Sequence, residues 1–255
     1  MTEFNSVTEF REQCGYEIDG FWYPRVTKIV DIKAKPALYR FYGRLASFAE
    51  GERIKKQSAT EGTMVHEAAE AVLLGREPEA PPAILPAIIA FRKFLEENKV
   101  KVRPEYVEHR LVNHDERYAG TLDAIAEIGG VLGILDIKTS LSIYRDYDLQ
   151  TSAYFAAMQQ TLPDLETRWI LRIDQSRSCA NCGAVLRSKG GKHQVRTVAG
   201  NLFQRTCTHE WNPPEGHIEL KESPRWQDDF RAFLGAKRLW EWEHEDMLKQ
   251  AGYLH

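Results

Sequence analysis

The 255-residue sequence contains no apolar run near the roughly 20 residues that a membrane-spanning helix needs. It also has no Gly-x4-Gly-Lys-Ser/Thr phosphate loop, no internal repeat and no low-complexity tract. The first absence excludes a helical membrane protein. The second excludes an ATP-driven motor, so any helicase or recombination motor working with this chain is a separate partner. The third excludes a solenoid. The opening MTEFNSVTEF has neither the basic nor the apolar region of a secretory signal, and the expected location is the cytoplasm. Cysteine is scarce: there are four, two of them in a Cys-x-x-Cys pair, which in a reducing compartment reads as metal ligation rather than disulfides. Positive charge is not in excess either. A net charge of -3 argues against a generic polyanion binder.

The charge is nevertheless uneven. Residues 25–56 hold nine Lys or Arg against three acids, and residues 187–205 hold five against none. Either stretch alone is explained as well by a solvated surface as by nucleic-acid contact. Hydrophobic content of 43% and charged content of 28% fit one soluble core carrying an insertion. Four segments are predicted: a basic, helical 1–57, a core over 58–174, a cysteine-containing insertion over 175–215, and a last strand and helix over 216–255. Within them, 58–74 reads as a helix stopped by Gly75, and 84–98 as a second helix after a proline cluster. Strand-like runs follow at 105–113, 118–128 and 131–139. A helix capped by Asp148 is predicted to run to about 160, with strands at 168–174 and 217–221 and a terminal helix over 226–249. This order implies an α/β layer fold with a mixed sheet.

The Gly129-Gly130 pair between two strand-like runs predicts a two-residue hairpin, which places Ile128 opposite Val131. Stepping outward, Asp123 is expected opposite Asp136 and Thr121 opposite Lys138, and the period of two puts Asp123, Asp136 and Lys138 on one face. Like charges directly across a ladder destabilise it. Their neighbours Leu122, Ala124, Ile125, Ile134, Leu135 and Ile137 are apolar, so the carboxylates are not simply solvated, and a shared Mg²⁺ or Mn²⁺ is the cation that offsets them. An Asp-x-Lys alone is more often an exposed edge; the cross-strand Asp123 reverses that preference.

Gly120-Thr121-Leu122-Asp123 followed by Gly133-Ile134-Leu135-Asp136-Ile137-Lys138 resembles the catalytic hairpin of PD-(D/E)XK nucleases, in the RecB-like exonuclease branch. Three flanking motifs agree: Gly62-Thr-Met-Val-His66-Glu-Ala-Ala-Glu70, Glu108 within Tyr-Val-Glu-His-Arg-Leu, and Gln150-Thr-Ser-Ala-Tyr154. The matched span runs from about 62 to 154. Leu122 stands where the motif's name has proline, a departure common in this branch. The resemblance implies a Mg²⁺- or Mn²⁺-dependent deoxyribonuclease in which His66, Asp123, Asp136 and the Ile137 carbonyl hold the metal and Lys138 is catalytic. It gives Glu70 and Glu108 outer or second-metal roles, and Gln150 and Tyr154 contact with DNA. Single strands or free ends are the expected substrate, gripped by the basic stretches through Arg40 and Arg44, with Tyr39, Tyr42 and Phe203 as stacking surfaces and Phe41 in the core. A site-specific endonuclease and a non-catalytic nuclease-fold adaptor are the rival readings; a zinc-centred interaction module is a third.

Within the insertion, Cys179-Ala-Asn-Cys182-Gly resembles a zinc knuckle, and Cys207-Thr-His209 supplies two more ligands, a closed Cys₃His set suited to a structural zinc in a zinc-ribbon-like insertion. His193 and His217 compete with His209 for the fourth place. The alternative uses Cys14 with the three late cysteines around an iron-sulfur cluster, as in some RecB-like nucleases.

Overall fold

The computed structural model describes residues 4–198 and 200–254; residues 1–3, 199 and 255, which fall inside the first, third and fourth segments predicted above, lie outside the described part. The chain begins with α1 (Val7–Cys14), a hairpin of β1 (Gly15–Ile18) and β2 (Phe21–Pro24), and two short helices, α2 (Val26–Val30) and α3 (Pro36–Tyr42). Then come α4 (Phe48–Leu73), α5 (Leu85–Glu97), β3 (Lys101–Val102), β4 (His109–Asn113), β5 (Tyr118–Leu122), β6 (Ala124–Ile128) and β7 (Val131–Lys138). The remainder is α6 (Asp146–Met158), β8 (Thr167–Ser178), β9 (Val185–Lys189), β10 (Lys192–Arg196), α7 (Leu202–Thr206), β11 (Glu215–Glu222), α8 (Gln227–Glu243) and α9 (Glu245–Gln250).

The fold is mixed α/β, with a central mixed sheet flanked by helices. The sheet runs β10-β9-β8-β7-β6-β3, with β11 also on β8. Among the strands of the described residues, only β7 and β8 pair in parallel, and α6 is the crossover that such a pair requires. Gly129 and Gly130 turn β6 into β7 with φ of 62° and 86°, the left-handed pair of a tight hairpin, and Ile128 meets Val131 as expected. Alternation then sorts the side chains. Ile125 and Ile134 join Tyr154, Phe155, Phe233 and Ile29 on the side of α2, α6 and α8. Ala124, Ala126, Leu135 and Ile137 join Val65, Ala69, Ile88 and Phe91 on the side of α4 and α5.

Several expectations are corrected. The predicted 58–74 helix starts at Phe48, where the Ser47 hydroxyl accepts from the Glu50 N–H and caps it. The 118–128 run is two strands: β5 pairs with β4 in a separate two-stranded sheet and β6 with β7, the break falling at Asp123. Of 105–113 only His109–Asn113 is strand. Pro104–Tyr106 makes a 3₁₀ turn, and Glu108, at φ 49°, precedes the strand rather than lying on it. Asp148 sits inside the first turn of α6 instead of capping it, because its carboxylate is taken by Lys221 Nζ (2.8 Å) and Ser223 Oγ (3.0 Å). The cysteine segment is more regular than its sequence implies: β8 continues to Ser178, and the β9–β10 hairpin extends the central sheet. The terminal helix breaks at His244 into α8 and α9. Residues of the 1–57 segment share a core with the C-terminus, Phe10 stacking on Trp240 at 5.9 Å. No helix among the described residues is long and apolar enough to cross a membrane.

No sequence motif marks Arg168. It is 0% exposed, and its guanidinium donates to the carbonyls of Asp148 (2.8 Å), Ser223 (2.9 Å) and Arg225 (3.1 Å), to Thr151 Oγ1 (3.3 Å) and to Asp229 Oδ2 (2.8 Å). One fork thereby ties β8 to α6, to the end of β11 and to the start of α8. Methionine keeps the volume and leaves those acceptors unpaired, so Arg168→Met is expected to cost at least about 3 kcal/mol. Urea unfolding followed by far-UV circular dichroism measures it.

Candidate functional site

β7 carries the site's charges out of the core. Its even-numbered row, Leu132 and Ile134, is apolar and continues into Asp136, which is 1% exposed, and Lys138. Lys138 Nζ lies 2.6 Å from Asp136 Oδ2, an ion-pair contact without hydrogen-bond alignment, so Oδ2 has no aligned donor. Asp136 Oδ1 accepts from Gln150 Nε2 (3.2 Å) on α6, and the same amide donates to Tyr154 Oη (3.0 Å). Lys138 Nζ also stands 5.2 Å from the ring centre of Tyr147, a residue to which no sequence motif drew attention.

Asp123 occupies the break between β5 and β6. Its Oδ2 accepts from the Ile137 N–H (2.5 Å), its Oδ1 lies 3.5 Å from His66 Nδ1 on α4, and its carbonyl accepts from the Glu108 N–H (3.0 Å). The ladder stops one step short of the expected Asp123 and Asp136 pairing, at Ala124 and Leu135, and Thr121 faces Arg110 instead of Lys138. The side chains are still gathered. His66, Glu108 and Asp123 bring ligand atoms within 4.8 Å of one another, a set that includes Glu108 where the sequence reading favoured Asp136 as a ligand. They open onto a cleft of about 500 Å³ lined also by Ser58, Gly62, Glu70 and Thr139. Glu70 is drawn off toward Arg76 (3.0 Å).

The electrostatics are those of a site short of cations. Burial, and then the charge of Asp123, pushes Glu108 up to about 7. Burial raises Asp136 to about 6, Lys138 opposing and Asp123 adding to it. Burial would also raise Asp123, but the hydrogen bond and charge of His66 bring it down. His66 is lowered by burial and raised further by the same partner, and ends above its ordinary value. Three carboxylates thus confront one ammonium and one imidazole, and a buried Asp136 oxygen lacks an aligned donor. A hard divalent cation suits that donor set.

The remaining sequence-predicted residues separate. Tyr154 is 2% exposed, so it reaches nothing outside the protein and acts through Gln150. Arg40 and Arg44 are exposed at and just beyond α3, as is Tyr39; Phe41, expected in the core, is half-buried with Lys192 Nζ 4.9 Å from its ring centre. Phe203 is exposed.

The second cluster is complete in itself. Cys179, Cys182, Cys207 and His209 place their ligand atoms within 4.8 Å of one another, with Cys179 Sγ and Cys207 Sγ 4.0 Å apart and Cys182 Sγ 3.4 Å from His209 Nδ1. Zinc bonds of ordinary length give tetrahedron edges of about 3.8 Å between sulfurs and about 3.6 Å between sulfur and nitrogen. The group can therefore hold a metal such as zinc. Burial raises the Cys179 thiol, but hydrogen bonds from His209 and from the Asn181 and Cys182 N–H groups outweigh it and bring it down to about 6. Burial and the neighbouring thiols push Cys207 up to about 11. His193 and His217 are bonded instead to Ser188 and Ser176. Cys14 is buried in the apolar cluster with Phe10 and Trp22, and His209 fills the fourth place that the iron-sulfur alternative assigned to it.

No protein-family model matches the chain, and no curated protein is similar to it. Among solved structures, the crystal structure of SSO0001 is similar with a TM-score of 0.34 and 14% identity, over 86% of this chain and 75% of that one. At that level the likeness bears on neither activity nor ligand.

Purified protein is expected to carry about one zinc per chain by elemental analysis, lost in Cys182→Ser because three ligands bind far more weakly than four. Iron with acid-labile sulfide, dependent on Cys14, would reverse the assignment.

Proposed function

We propose that the chain is a Mg²⁺- or Mn²⁺-dependent deoxyribonuclease of the PD-(D/E)XK type, its catalytic core joined to a zinc-ribbon-like insertion. The observation that carries this reading is that His66, Glu108 and Asp123 gather at one open cleft, with the buried Asp136–Lys138 ion pair close enough behind them to feel the Asp123 charge, so that negative charge exceeds the cations present. His66, Asp123 and Glu108 are the ligands for the ion, with Asp136 and the Ile137 carbonyl as further donors. A divalent cation there supplies Lewis-acid polarisation of a phosphodiester and a lowered pKa for the attacking water. The protein's own residues do the rest. The Ile137 N–H and Gln150 hold the two aspartates in fixed orientations. Lys138, kept protonated by Asp136 and Asp123 against the effect of burial, places its charge where negative charge grows on the phosphorus oxygens. Tyr147 and Asp136 keep that ammonium from swinging into solvent.

The substrate reading draws on exposed side chains outside the acidic site. Exposed Arg40, Arg44, Tyr39 and Phe203 suit a flexible strand better than a duplex, since they offer charge and stacking without a helix aimed at a groove.

Asp136→Asn and Lys138→Ala are each expected to abolish cleavage of end-labelled DNA in Mg²⁺, while circular dichroism and the melting temperature show the fold retained. Wild-type rates in either variant would refute the catalytic assignment. Millimolar Mn²⁺ should raise the melting temperature of the wild type and do so less in Asp123→Asn. Side-by-side digestion of single-stranded, linear duplex and covalently closed circular DNA should show the closed circle cut slowest; a closed circle cut fastest at a fixed sequence would mark a site-specific endonuclease instead.

A further inference from the structure

A second group of charged and aromatic side chains gathers at the end of β5, two residues along the chain from Asp123, and nothing in the catalytic reading uses it. Tyr16 on β1 has two guanidinium groups over its ring, Arg25 at 4.4 Å and Arg110 at 4.2 Å from the ring centre. Its hydroxyl lies 3.4 Å from Thr121 Oγ1, and Thr121 is the register partner of Arg110 across β4 and β5. The two arginines differ in what they do. Arg25 is tied down, its Nε donating to the Gly15 carbonyl (3.1 Å) and its Nη2 to the Glu12 carbonyl (3.0 Å). Arg110 is exposed, and among the described residues it forms no ion pair and no side-chain hydrogen bond, so its donors are held in place by the tyrosine face alone.

Two positive charges on one aromatic ring, with no carboxylate bonded to either, leave a concentrated positive field that an anion can satisfy. A guanidinium stacked on a ring and free along its edge is pre-organised for the paired oxygens of a phosphate. The hydroxyls of Tyr16 and Thr121 are bonded to each other, which leaves one O–H free as a further donor at the same place. The position relative to the cleft is fixed by the chain. Thr121 precedes Asp123 by two residues, about 7 Å of extended backbone. Tyr154, whose hydroxyl shares the Gln150 amide with Asp136, packs directly on Gly120, where a Cβ would stand 2.5 Å from its Cε1. Tyr16 and Thr121 therefore stand at the end of β5 that leads, through the bend at Asp123, into the acidic site.

We propose that Arg110, Tyr16 and Thr121, with Arg25 supporting the ring, form a phosphate subsite that holds a backbone phosphate of the nucleic-acid substrate next to the one being hydrolysed. The proposal rests on the nuclease reading and adds to it the element that sets the path of the strand. Holding a neighbouring phosphate immobilises the reacting one, so the subsite contributes to binding and to alignment while taking no part in bond breaking.

The test is binding of a fluorescein-labelled single-stranded oligonucleotide, followed by anisotropy over a salt series, with Ca²⁺ in place of Mg²⁺ to prevent cutting. Arg110→Ala is expected to weaken binding about tenfold and to reduce the slope of log K against log salt by about 0.7, the value of one single-strand phosphate contact. Arg110→Lys should restore the slope but only part of the affinity, because it keeps the charge and loses the planar fork. The rise in melting temperature on adding Mn²⁺ should be unchanged in both variants, which separates this subsite from the metal ligands. Wild-type affinity and slope in Arg110→Ala would overturn the subsite and leave the nuclease reading standing. Absence of oligonucleotide binding by the wild type itself, with the Mn²⁺ response present, would overturn the nucleic-acid reading and the subsite with it.

Discussion

Asp136 is a carboxylate placed where the fold has almost no water. The last turns of β7 force this, because a strand that must bury Ile134 on one face carries the residue two positions on along the same row. An ionised group there requires compensation, and everything nearby can be read as supplying part of it. Lys138 lies two positions further along the same row, Gln150 reaches in from α6, and Asp123 is kept off by being bonded to the Ile137 N–H. The compensation is incomplete, as the raised Asp136 and Glu108 show. A site left with unbalanced negative charge beside a cleft has the donor chemistry that a cation of high charge density would satisfy.

That arrangement depends on α6, and α6 depends on Arg168. The guanidinium bonded to the Asp148 carbonyl and Thr151 fixes the helix's first turns against β8, and Lys221 and Ser223 hold the Asp148 carboxylate from β11. Gln150 lies between those two anchored residues. Its amide therefore meets Asp136 and Tyr154 as a fixed donor rather than as a mobile surface side chain. This recasts the Gln-x-x-x-Tyr spacing: the pair shares one helix face, as the sequence implied, but the face looks inward, and its work is orienting a carboxylate.

The sequence made some of this legible and hid the rest for identifiable reasons. The Gly129-Gly130 turn set the β6–β7 register residue by residue because that relationship is local, and the Cys₃His set assembled from two local pairs, Cys179 with Cys182 and Cys207 with His209, although the pairs are 27 to 28 residues apart. The order of helices and strands was readable from periodicity. The break at Asp123 was not. Apolar residues continue through it, and only the long-range bond to the Ile137 N–H reveals that the chain changes sheets there. Glu108 was recognised as acidic and near the site, but its left-handed backbone, which lets its carboxylate approach His66 and Asp123, has no signature in a residue of that type. Tyr16, Arg25 and Arg110 come from separate elements, and no local pattern joins them. Arg168, directly before the apolar run Trp169-Ile170-Leu171, is the one sequence hint of the buried hub, and in a strand-like segment an arginine carries no signal of that role.

The cysteine-bearing segment is bound to the cleft more closely than its place in the sequence suggests. Its β9–β10 hairpin turns at Gly190, whose N–H donates to the Glu61 carboxylate on α4 (3.0 Å), in the residue before Gly62 and little more than one turn before His66. From β9, Lys189 Nζ and Arg187 Nη2 both donate to the carbonyl of Thr139, the residue that follows Lys138. Burial, with Arg187 nearby, brings Lys189 down to about 8, so the hairpin accepts an electrostatic cost to make that contact. Two sides of the cleft, α4 with His66 and Thr139 just beyond β7, are thus clamped together by a hairpin whose own base lies beside Cys179 and Cys182. A metal that fixes the Cys179 to Gly183 turn fixes the start of β9. Through five residues of antiparallel strand it also fixes the tip on α4. Loss of that order would loosen the spacing between His66 and Lys138 without touching any residue of the acidic site.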